Sequence, residues 1–367
     1  MKYSICLCTY KRPGLLRLLI SDLLSQTLLP KGMIVVDGDP QSGDVLEVLS
    51  DFSRGDHPAF HYIPSNHANL AYQRYLGWRA AADLGAEYLL YLDDDLRIKN
   101  PQSIAKLYEP FSWDRWEIVG VTADTQDGDI GVLSTNDLLA ERYRPGHQHR
   151  GGWIQRLGSA RRYPPGGLTP YGQRIAPAPK ESGFSEVQWL QGRVMFYRMT
   201  ALKENSFSED LFALDHIRCD LGEDTYLSRQ AGARGKLLLG FGLGIEHPNA
   251  DLPQCYPVEA YKFGYACAYS RRFLNDHYRV TRPPKQADRL ALLKSYLGNA
   301  LLAWARAMGG RKAYQFAYAR GYSSGALRGL LQKPTAKALT PTIDWQRDAG
   351  QALQRRVILQ PHPLETA

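Results

Sequence analysis

Short apolar runs alternate with amphipathic stretches over the first 125 residues of the chain. Strands and helices that follow one another in this way are typical of βαβ units, so we predict a mostly parallel sheet with helices on both faces. The predicted strands span residues 3–9, 33–36, 60–63, 88–92 and 118–122, and the predicted helices span 13–26, 45–52 and 70–84. Because parallel strands end at one edge of the sheet, ligand-binding loops are expected at that edge.

The fourth predicted strand ends in three consecutive carboxylates, Asp93, Asp94 and Asp95. Three ionised aspartates within one turn of chain repel one another unless they face water, accept hydrogen bonds or bind a cation. A hard divalent metal takes such oxygen ligands, and with a phosphorylated substrate it usually keeps only one or two protein carboxylates. The alternative is a solvated acidic turn without a ligand.

The periodic pattern is lost between residues 124 and 186, where Gly, Pro, Arg, His and Tyr are frequent. From residue 142 to 180 the charged side chains are all cations: Arg142, Arg144, Arg150, Arg156, Arg161, Arg162, Arg174 and Lys180. This stretch is too long for a passive connection, which predicts a basic loop that orders over an anionic ligand. Plain disorder is the other interpretation.

Regular elements are predicted again from about residue 186 onward. A strand is expected in the second half of 186–198, a helix over 222–232, and short strands over 236–239 and 243–247. Three further helices are predicted at 258–276, 287–308 and 313–330, and the chain from residue 334 has the composition of a loosely ordered tail.

Positive charge is concentrated near the C-terminus. Residues 261–333 contain fourteen Lys and Arg but only two acids, Asp276 and Asp288, so the net charge of this region is +12. The whole chain has a net charge of +8, which leaves −4 for the other residues. Such a region fits an anionic membrane surface, a phosphorylated acceptor, nucleic acid or an ordinary solvated helix face.

Other features of the sequence suggest an intracellular globular protein. No apolar run approaches the roughly 18 residues that cross a bilayer, the N-terminus lacks a signal-peptide pattern, and the five cysteines have no paired metal-type spacing. Reduced thiols and a cytoplasmic location are therefore expected, and Cys6 and Cys8 should share one buried strand face.

Seven fragments, in this order, resemble the family 2 glycosyltransferases, which invert anomeric configuration and have the GT-A fold. They are Ser4–Pro13 (SICLCTYKRP), Ile34–Asp37 (IVVD), Asn69–Gly77 (NLAYQRYLG), Tyr91–Asp95 (YLDDD), Trp189–Gly192 (WLQG), Gly222–Thr225 (GEDT) and Ile245–His247 (IEH). The resemblance covers residues 2–248. It implies a GT-A catalytic domain over 1–250, with a nucleotide-binding half (1–123), the basic loop (124–186) and an acceptor-side half (187–250). A basic helical region (251–333) and the tail (334–367) follow.

By this resemblance, the aspartate triplet binds a divalent metal, Mn2+ or Mg2+, that bridges the diphosphate of a nucleotide-sugar. The implied metal ligands are Asp93, Asp95 and His247, although a lone histidine is also often purely structural. The implied donor contacts are Thr9, Tyr10, Arg12, Asp37, Asp39, Asn69, Arg74, Asp93 and Asp94. The family has two successive acids where this chain has Asp37 and Gly38, with Asp39 next, so which acid meets the base stays open.

The acidic pair Glu223 and Asp224 resembles the family's acceptor-side carboxylates. Asp224 is the implied general base and Glu223 the second candidate, while acidic residues favoured by a helix N-terminus are the structural alternative. Trp189 and Gly192 fall where the family binds its acceptor, although Trp189 could equally be a core side chain.

The expected function is thus metal-dependent, inverting transfer of a sugar from a UDP-, GDP- or dTDP-linked donor to a hydroxyl acceptor. A polysaccharide, glycolipid or other cell-envelope glycoconjugate is the expected acceptor, with possible peripheral membrane contact through residues 258–333 and no nucleic-acid partner. The alternatives are a catalytically silent nucleotide- or glycan-binding protein, or a nucleotidyltransferase of related fold. The latter would need a Gly-rich phosphate loop after the first strand, and Thr9-Tyr10-Lys11-Arg12-Pro13 offers none.

Overall fold

The computed structural model describes residues 2–53, 57–113, 117–127, 164–175, 177–178, 180–219, 222–248, 257–278 and 286–360. The strands are β1 (Tyr3–Thr9), β2 (Gly32–Asp37), β3 (Ala59–Pro64), β4 (Tyr88–Asp93), β5 (Arg97–Ile98), β6 (Ile118–Ala123), β7 (Gln126–Asp127), β8 (Gly183–Val187), β9 (Val194–Arg198), β10 (Lys236–Phe241), β11 (Ile245–His247) and β12 (Val357–Leu359). The α-helices are α1 (Pro13–Leu24), α2 (Asp44–Asp51), α3 (Leu70–Asp83), α4 (Ser103–Ser112), α5 (Glu209–His216), α6 (Glu223–Gly232), α7 (Pro257–Asp276), α8 (Gln286–Gly310), α9 (Ala313–Leu331), α10 (Ala336–Leu339) and α11 (Trp345–Gln354).

Nine strands form one sheet in the order β12-β3-β2-β1-β4-β9-β6-β10-β8. The neighbours β3, β2, β1 and β4 run parallel, as do β6 and β10, whereas β9 is antiparallel to both β4 and β6. A small second sheet has the strand order β5-β11-β7. Its strands follow β4, β10 and β6, respectively, along the chain. The carboxyl ends of β1, β2 and β4 therefore collect at one edge, as the sequence predicts.

Alternating side chains of the central strands enter two different cores. In β1, Tyr3, Ile5 and Leu7 pack in a cluster with residues of α1, α2 and α4. Cys6 and Cys8 point to the other face, into a cluster with residues of α3, α5, α6 and α11. The prediction that the two cysteines share one buried face is confirmed, because residues two apart on a strand lie on the same side.

The predicted elements of the N-terminal half are confirmed to within two or three residues at their ends. The sequence does not predict helices α4, α5, α10 and α11 or strands β5, β7, β8 and β12. Most of the predicted basic loop, including residues 128–163, lies outside the described residues, but residues 164–175 form an ordered segment that packs against α6.

The basic C-terminal region is helical, as predicted, and α7 and α9 pack unusually closely. A Cβ placed on Gly321 would lie 2.0 Å from the carbonyl oxygen of Tyr261, and one on Gly325 would lie 2.3 Å from that of Tyr265. Only glycine allows the two backbones to approach this far. Of the helices described, none combines the length and apolar character needed to cross a membrane.

The chain beyond residue 334 differs from the loosely ordered tail that the sequence predicts. α11 packs against α3 and β3, and β12 adds an antiparallel edge strand to β3. Trp345 is 1% exposed and contacts the rings of His67, Tyr72 and Phe212. That expectation is therefore corrected for residues 334–360, because burial of one large aromatic ring and strand pairing anchor a segment whose composition alone looks polar.

Candidate functional site

The aspartate triplet at the end of β4 divides its three side chains among three different surroundings. Asp94 is buried and accepts hydrogen bonds from Thr9 Oγ1 at 2.7 Å and Arg12 Nη1 at 3.2 Å. Burial raises the pKa of Asp94 to about 6, against the opposing effects of Thr9 and Arg12. Asp95 shares Arg12 with Asp94, whereas Asp93 forms an ion pair with Arg74.

Arg74 of α3 is the cation that balances Asp93. Its Nη2 lies 3.1 Å from Asp93 Oδ1 and 2.8 Å from the carbonyl oxygen of Gly192, while Nη1 lies 2.5 Å from Glu223 Oε1. Arg74 is 2% exposed, and its two carboxylate partners outweigh burial and raise its pKa. Burial is the largest influence on Asp93 and raises the pKa of that carboxyl despite Arg74. One buried guanidinium thus joins the triplet to the acidic pair predicted on the acceptor side.

Glu223 and Asp224 open helix α6, where the positive end of the helix dipole favours them. Asp224 Oδ2 accepts from the backbone N–H of Gly192 at 2.9 Å, and Oδ1 accepts from Thr225 N at 2.5 Å. A Cβ on residue 192 would itself lie 2.9 Å from Asp224 Oδ2, so this approach requires glycine. Gly192 therefore positions the carboxylate of Asp224.

Arg174, which the sequence reasoning did not assign to the site, is the main partner of Asp224. Its Nη2 forms an ion pair with Asp224 Oδ2 and also donates to Thr225 Oγ1 at 3.2 Å. Burial would raise the pKa of Asp224, but the charge and hydrogen bond of Arg174, with a further contribution from Arg74, lower it. In this arrangement Asp224 is held ionised.

Trp189, predicted to bind the acceptor, lies beneath the 164–175 segment. It is 4% exposed, its Nε1 donates to the carbonyl oxygen of Ile175 at 3.3 Å, and Arg174 lies over its ring at 5.6 Å. Its ring is available to a ligand only when this segment is displaced.

Asp95 and His247 converge from β4 and β11 and are the pair best suited to a divalent ion. Asp95 Oδ1 is buried without a hydrogen-bond partner and lies 3.4 Å from His247 Nε2. Its other oxygen, Oδ2, lies 3.1 Å from Arg12 Nη1, and Arg12 is about half exposed, so this ion pair can give way to a ligand. The pKa of Asp95 is lowered: burial, the largest influence, opposes this, and His247 and Arg12 outweigh it.

Asp93, the predicted third ligand, forms an ion pair with Arg74 through Oδ1. Among the residues the structure describes, no group of three or more His, Cys, Asp or Glu side chains is arranged to hold a metal. An oxygen and a nitrogen at one point fit an ion that takes its other ligands from a diphosphate and water, as Mg2+ commonly does.

The end of β1 contributes one buried and two accessible side chains. Thr9 is buried against Asp94, whereas Tyr10 is 38% exposed and Arg12 extends over the triplet. A side chain on Gly38 would come within 3.2 Å of the ring of Tyr10, so glycine keeps this ring close to the end of β2. Tyr10 and Arg12 remain well placed to meet a ligand.

Asp37 at the end of β2 is fully buried and already satisfied. It accepts from Asp39 N at 2.8 Å and from Tyr62 Oη at 3.0 Å. Burial raises its pKa in spite of these bonds. Asp39 is only half-buried, which makes it the more accessible of the two acids predicted to meet the base.

Asn69, predicted as a donor contact, is buried at the start of α3. It is 1% exposed, caps α3 by accepting from Tyr72 N at 2.9 Å, and donates to the carbonyl oxygen of Phe212 at 2.7 Å. The neighbouring Gln73, which sequence reasoning missed, donates to the carbonyl oxygens of Thr9 and Val36 and so ties the ends of β1 and β2 together. Its only signal in the sequence was its place one residue before Arg74.

A comparison with protein-family models assigns the N-terminal part of the chain. Residues 4–161 match the model of glycosyl transferase family 2. This part of the chain is a family 2 glycosyltransferase domain. The family assignment agrees with the GT-A arrangement of the sheet, and the protein is a glycosyltransferase. A search of curated proteins finds no match.

Among solved structures, this glycosyltransferase is similar to the mannosyltransferase PcManGT from Pyrobaculum calidifontis, in complex with GDP-Man and Mn2+. The identity is 13%, the TM-score is 0.48, and 90% of this chain and 87% of that chain are covered. It is also similar to S. aureus TarS 1-349, with 13% identity, a TM-score of 0.41 and coverage of 90% of this chain and 92% of that chain. Likenesses this distant do not bear on donor, acceptor or mechanism.

Proposed function

We propose that the protein is a metal-dependent, inverting glycosyltransferase that moves a sugar from a nucleotide-sugar to a hydroxyl acceptor, with Asp224 as general base. The observation that carries the proposal is the buried chain Asp93, Arg74, Glu223, which links the end of β4 to the start of α6. It fixes a donor-side carboxylate and an acceptor-side carboxylate pair on opposite sides of one guanidinium. Preorganised charge of this kind is what glycosyl transfer requires.

On the donor side, Asp95 and His247 would hold Mn2+ or Mg2+, and Arg12 and Tyr10 would contact the diphosphate and the base. A bound divalent ion supplies the positive charge that stabilises the departing diphosphate. Arg12, freed from Asp95, can carry part of the same charge. Asp39 is the acid proposed to meet the base, which belongs to a UDP-, GDP- or dTDP-linked sugar.

On the acceptor side, Asp224 would take the proton of the attacking hydroxyl. A new bond forms between that oxygen and the anomeric carbon while the bond from this carbon to the diphosphate breaks, and the proton passes to Asp224. One displacement inverts the configuration. Arg174 holds this carboxylate in the structure, so the acceptor must displace Arg174 before the base can act. Trp189 would then be uncovered to stack on the acceptor sugar.

We also propose a saccharide or lipid-linked acceptor of the cell envelope, a cytoplasmic location and peripheral contact with the inner face of the membrane through residues 258–333. The support is the charge of that region, which attracts anionic surfaces.

The proposal is tested with a panel of UDP-, GDP- and dTDP-sugars, measuring binding and hydrolysis with and without Mn2+. The measurements are repeated with Mg2+, and we expect divalent-dependent binding of one donor class. Asp224→Asn should abolish transfer while donor binding is retained, and Asp51→Asn, which alters a surface ion pair with Arg17, is the matched control. If no donor binds in the presence of either metal, the proposal is refuted; if Asp224→Asn transfers normally, another group is the base.

A further inference from the structure

Helix α8 presents a row of large apolar side chains to solvent. Five of them are between 38% and 63% exposed: Leu290, Leu293, Leu297, Leu301 and Met308. At 100° per residue these positions fall within an arc of about 80°, and at 1.5 Å per residue they extend over about 27 Å. We call this row the leucine face.

The leucine face is not needed to pack α8 on its neighbours. The adjacent side of the helix, about 110° away around its axis, does that through buried Leu292, Tyr296, Ala303 and Ala307. Tyr296 Oη also donates to the carbonyl oxygen of Ala268 at 3.0 Å, and Trp304 Nε1 donates to Ser323 Oγ at 3.1 Å. A helix that is anchored on one side and still carries a continuous apolar row on another is typical of an interaction surface.

The charged residues that follow Asp288 along α8 and α9 have one sign. From residue 289 to 333 the sequence contains eight Lys and Arg and neither Asp nor Glu. Six of these cations are exposed: Arg289, Lys294, Arg311, Lys312, Arg320 and Lys333. Two copies of this surface would bring like charges together, which disfavours self-association. A partner with an apolar interior and an anionic boundary complements both the apolar row and the exposed cations.

We propose that α8 lies along the surface of an anionic membrane, with the leucine face inserted at the boundary of headgroups and acyl chains and the flanking cations on lipid phosphates. This membrane-binding proposal rests on the peripheral membrane contact included in the proposed function. It specifies the helix that makes the contact, the face of that helix and the charge of the lipid. The helix lies on the bilayer and does not cross it.

Cosedimentation with vesicles tests the proposal on the full chain. We expect binding to phosphatidylcholine vesicles that contain phosphatidylglycerol, weaker binding to phosphatidylcholine alone, and further weakening by salt. The double variant Leu293→Gln/Leu297→Gln should bind about tenfold or more weakly, because two exposed leucines no longer enter the apolar layer. Leu15→Gln/Leu18→Gln, two leucines of α1 with 40% and 43% exposure, is the control and should bind as the unchanged protein does.

Charge reversal provides a second measurement. Arg289→Glu/Lys294→Glu should reduce binding to the anionic vesicles and leave the weak binding to neutral vesicles unchanged. Equal binding by all variants, or no binding by the unchanged protein, overturns the proposal. The proposal is also overturned if light scattering shows a dimer that Leu293→Gln/Leu297→Gln dissociates, while no form of the protein binds vesicles. A second copy of the chain would then cover the leucine face. Metal-dependent donor binding without vesicles is measured in parallel: its absence in the unchanged protein, with vesicle binding intact, defeats the proposed glycosyl transfer and leaves the membrane contact standing.

Discussion

Arg174 forms an ion pair with the buried carboxylate of Asp224, and its guanidinium lies 5.6 Å from the centre of the Trp189 ring. A single side chain from the 164–175 segment therefore covers both the proposed base and the proposed acceptor platform. The base is charged and oriented, but it cannot receive a proton until this cation moves. Under the proposed mechanism, the acceptor competes with Asp224 for Arg174, which an anionic or strongly hydrogen-bonding acceptor would do best.

Removal of Arg174 should shift the pH dependence of transfer. Because Arg174 lowers the pKa of Asp224, Arg174→Ala should raise that pKa, and the acidic limb of kcat/KM should move to higher pH. Arg174→Lys should keep most of the original profile, since the positive charge remains. Arg79→Ala, which removes a surface arginine paired with Glu204, is the control. An unchanged acidic limb in Arg174→Ala would show that Asp224 is not the group titrating in that limb.

Replacement of Arg74 by Met should destabilise the protein strongly, because it leaves Asp93 and Glu223 without their buried cation. We expect a loss of about 3–5 kcal/mol in the free energy of unfolding, measured by denaturant titration. Arg74→Met/Glu223→Gln should recover part of it, since one of the stranded charges is gone. Arg79→Met on the same helix should cost under about 1 kcal/mol. Equal losses for the two arginines would contradict the assigned role of Arg74.

Metal-dependent donor binding should depend on Asp95 and His247 but only weakly on Asp94. In calorimetric titrations of a nucleoside diphosphate with Mn2+, Asp95→Asn and His247→Ala should each weaken binding by about tenfold or more. Asp94→Asn is the comparison variant, because this side chain is directed at Thr9 and at Arg12, which it shares with Asp95. Asp51→Asn, at a surface ion pair with Arg17, is the control. If Asp94→Asn weakened binding more than Asp95→Asn and His247→Ala, Asp95 and His247 would not be the metal ligands.

Trp345 should contribute much of the stability that the C-terminal segment confers. Trp345→Ala removes a fully buried ring from between Tyr72 and Phe212, for an expected loss of about 3–5 kcal/mol. Trp113→Ala, at a tryptophan that is 37% exposed, should cost under about 1 kcal/mol. Denaturation followed by circular dichroism measures both. If the two variants unfolded at the same denaturant concentration, the tail would be only loosely attached.

Much of the fold was predictable because its signals are local. The apolar runs of β1 to β4, Pro13 at the start of α1 and the long amphipathic helices of the C-terminal region each depend on residues close in sequence. The acidic clusters could be found for the same reason. The short strands β5, β7 and β12 could not, because each forms only by pairing with strands far away along the chain.

The features of the candidate site also fall into two groups, those set by the sequence and those set by the tertiary structure. The sequence by itself determined which carboxylates occur at the ends of β4 and the start of α6, and that the C-terminal helices are basic. Only the tertiary structure decided that Arg74 joins the two carboxylate groups, that Asp94 and Asn69 turn inward, and that Arg174 covers Asp224. Ion pairs and burial depend on the distance between side chains in space. Residues 19 to 149 positions apart in the chain come close only when the sheet and its helices have assembled.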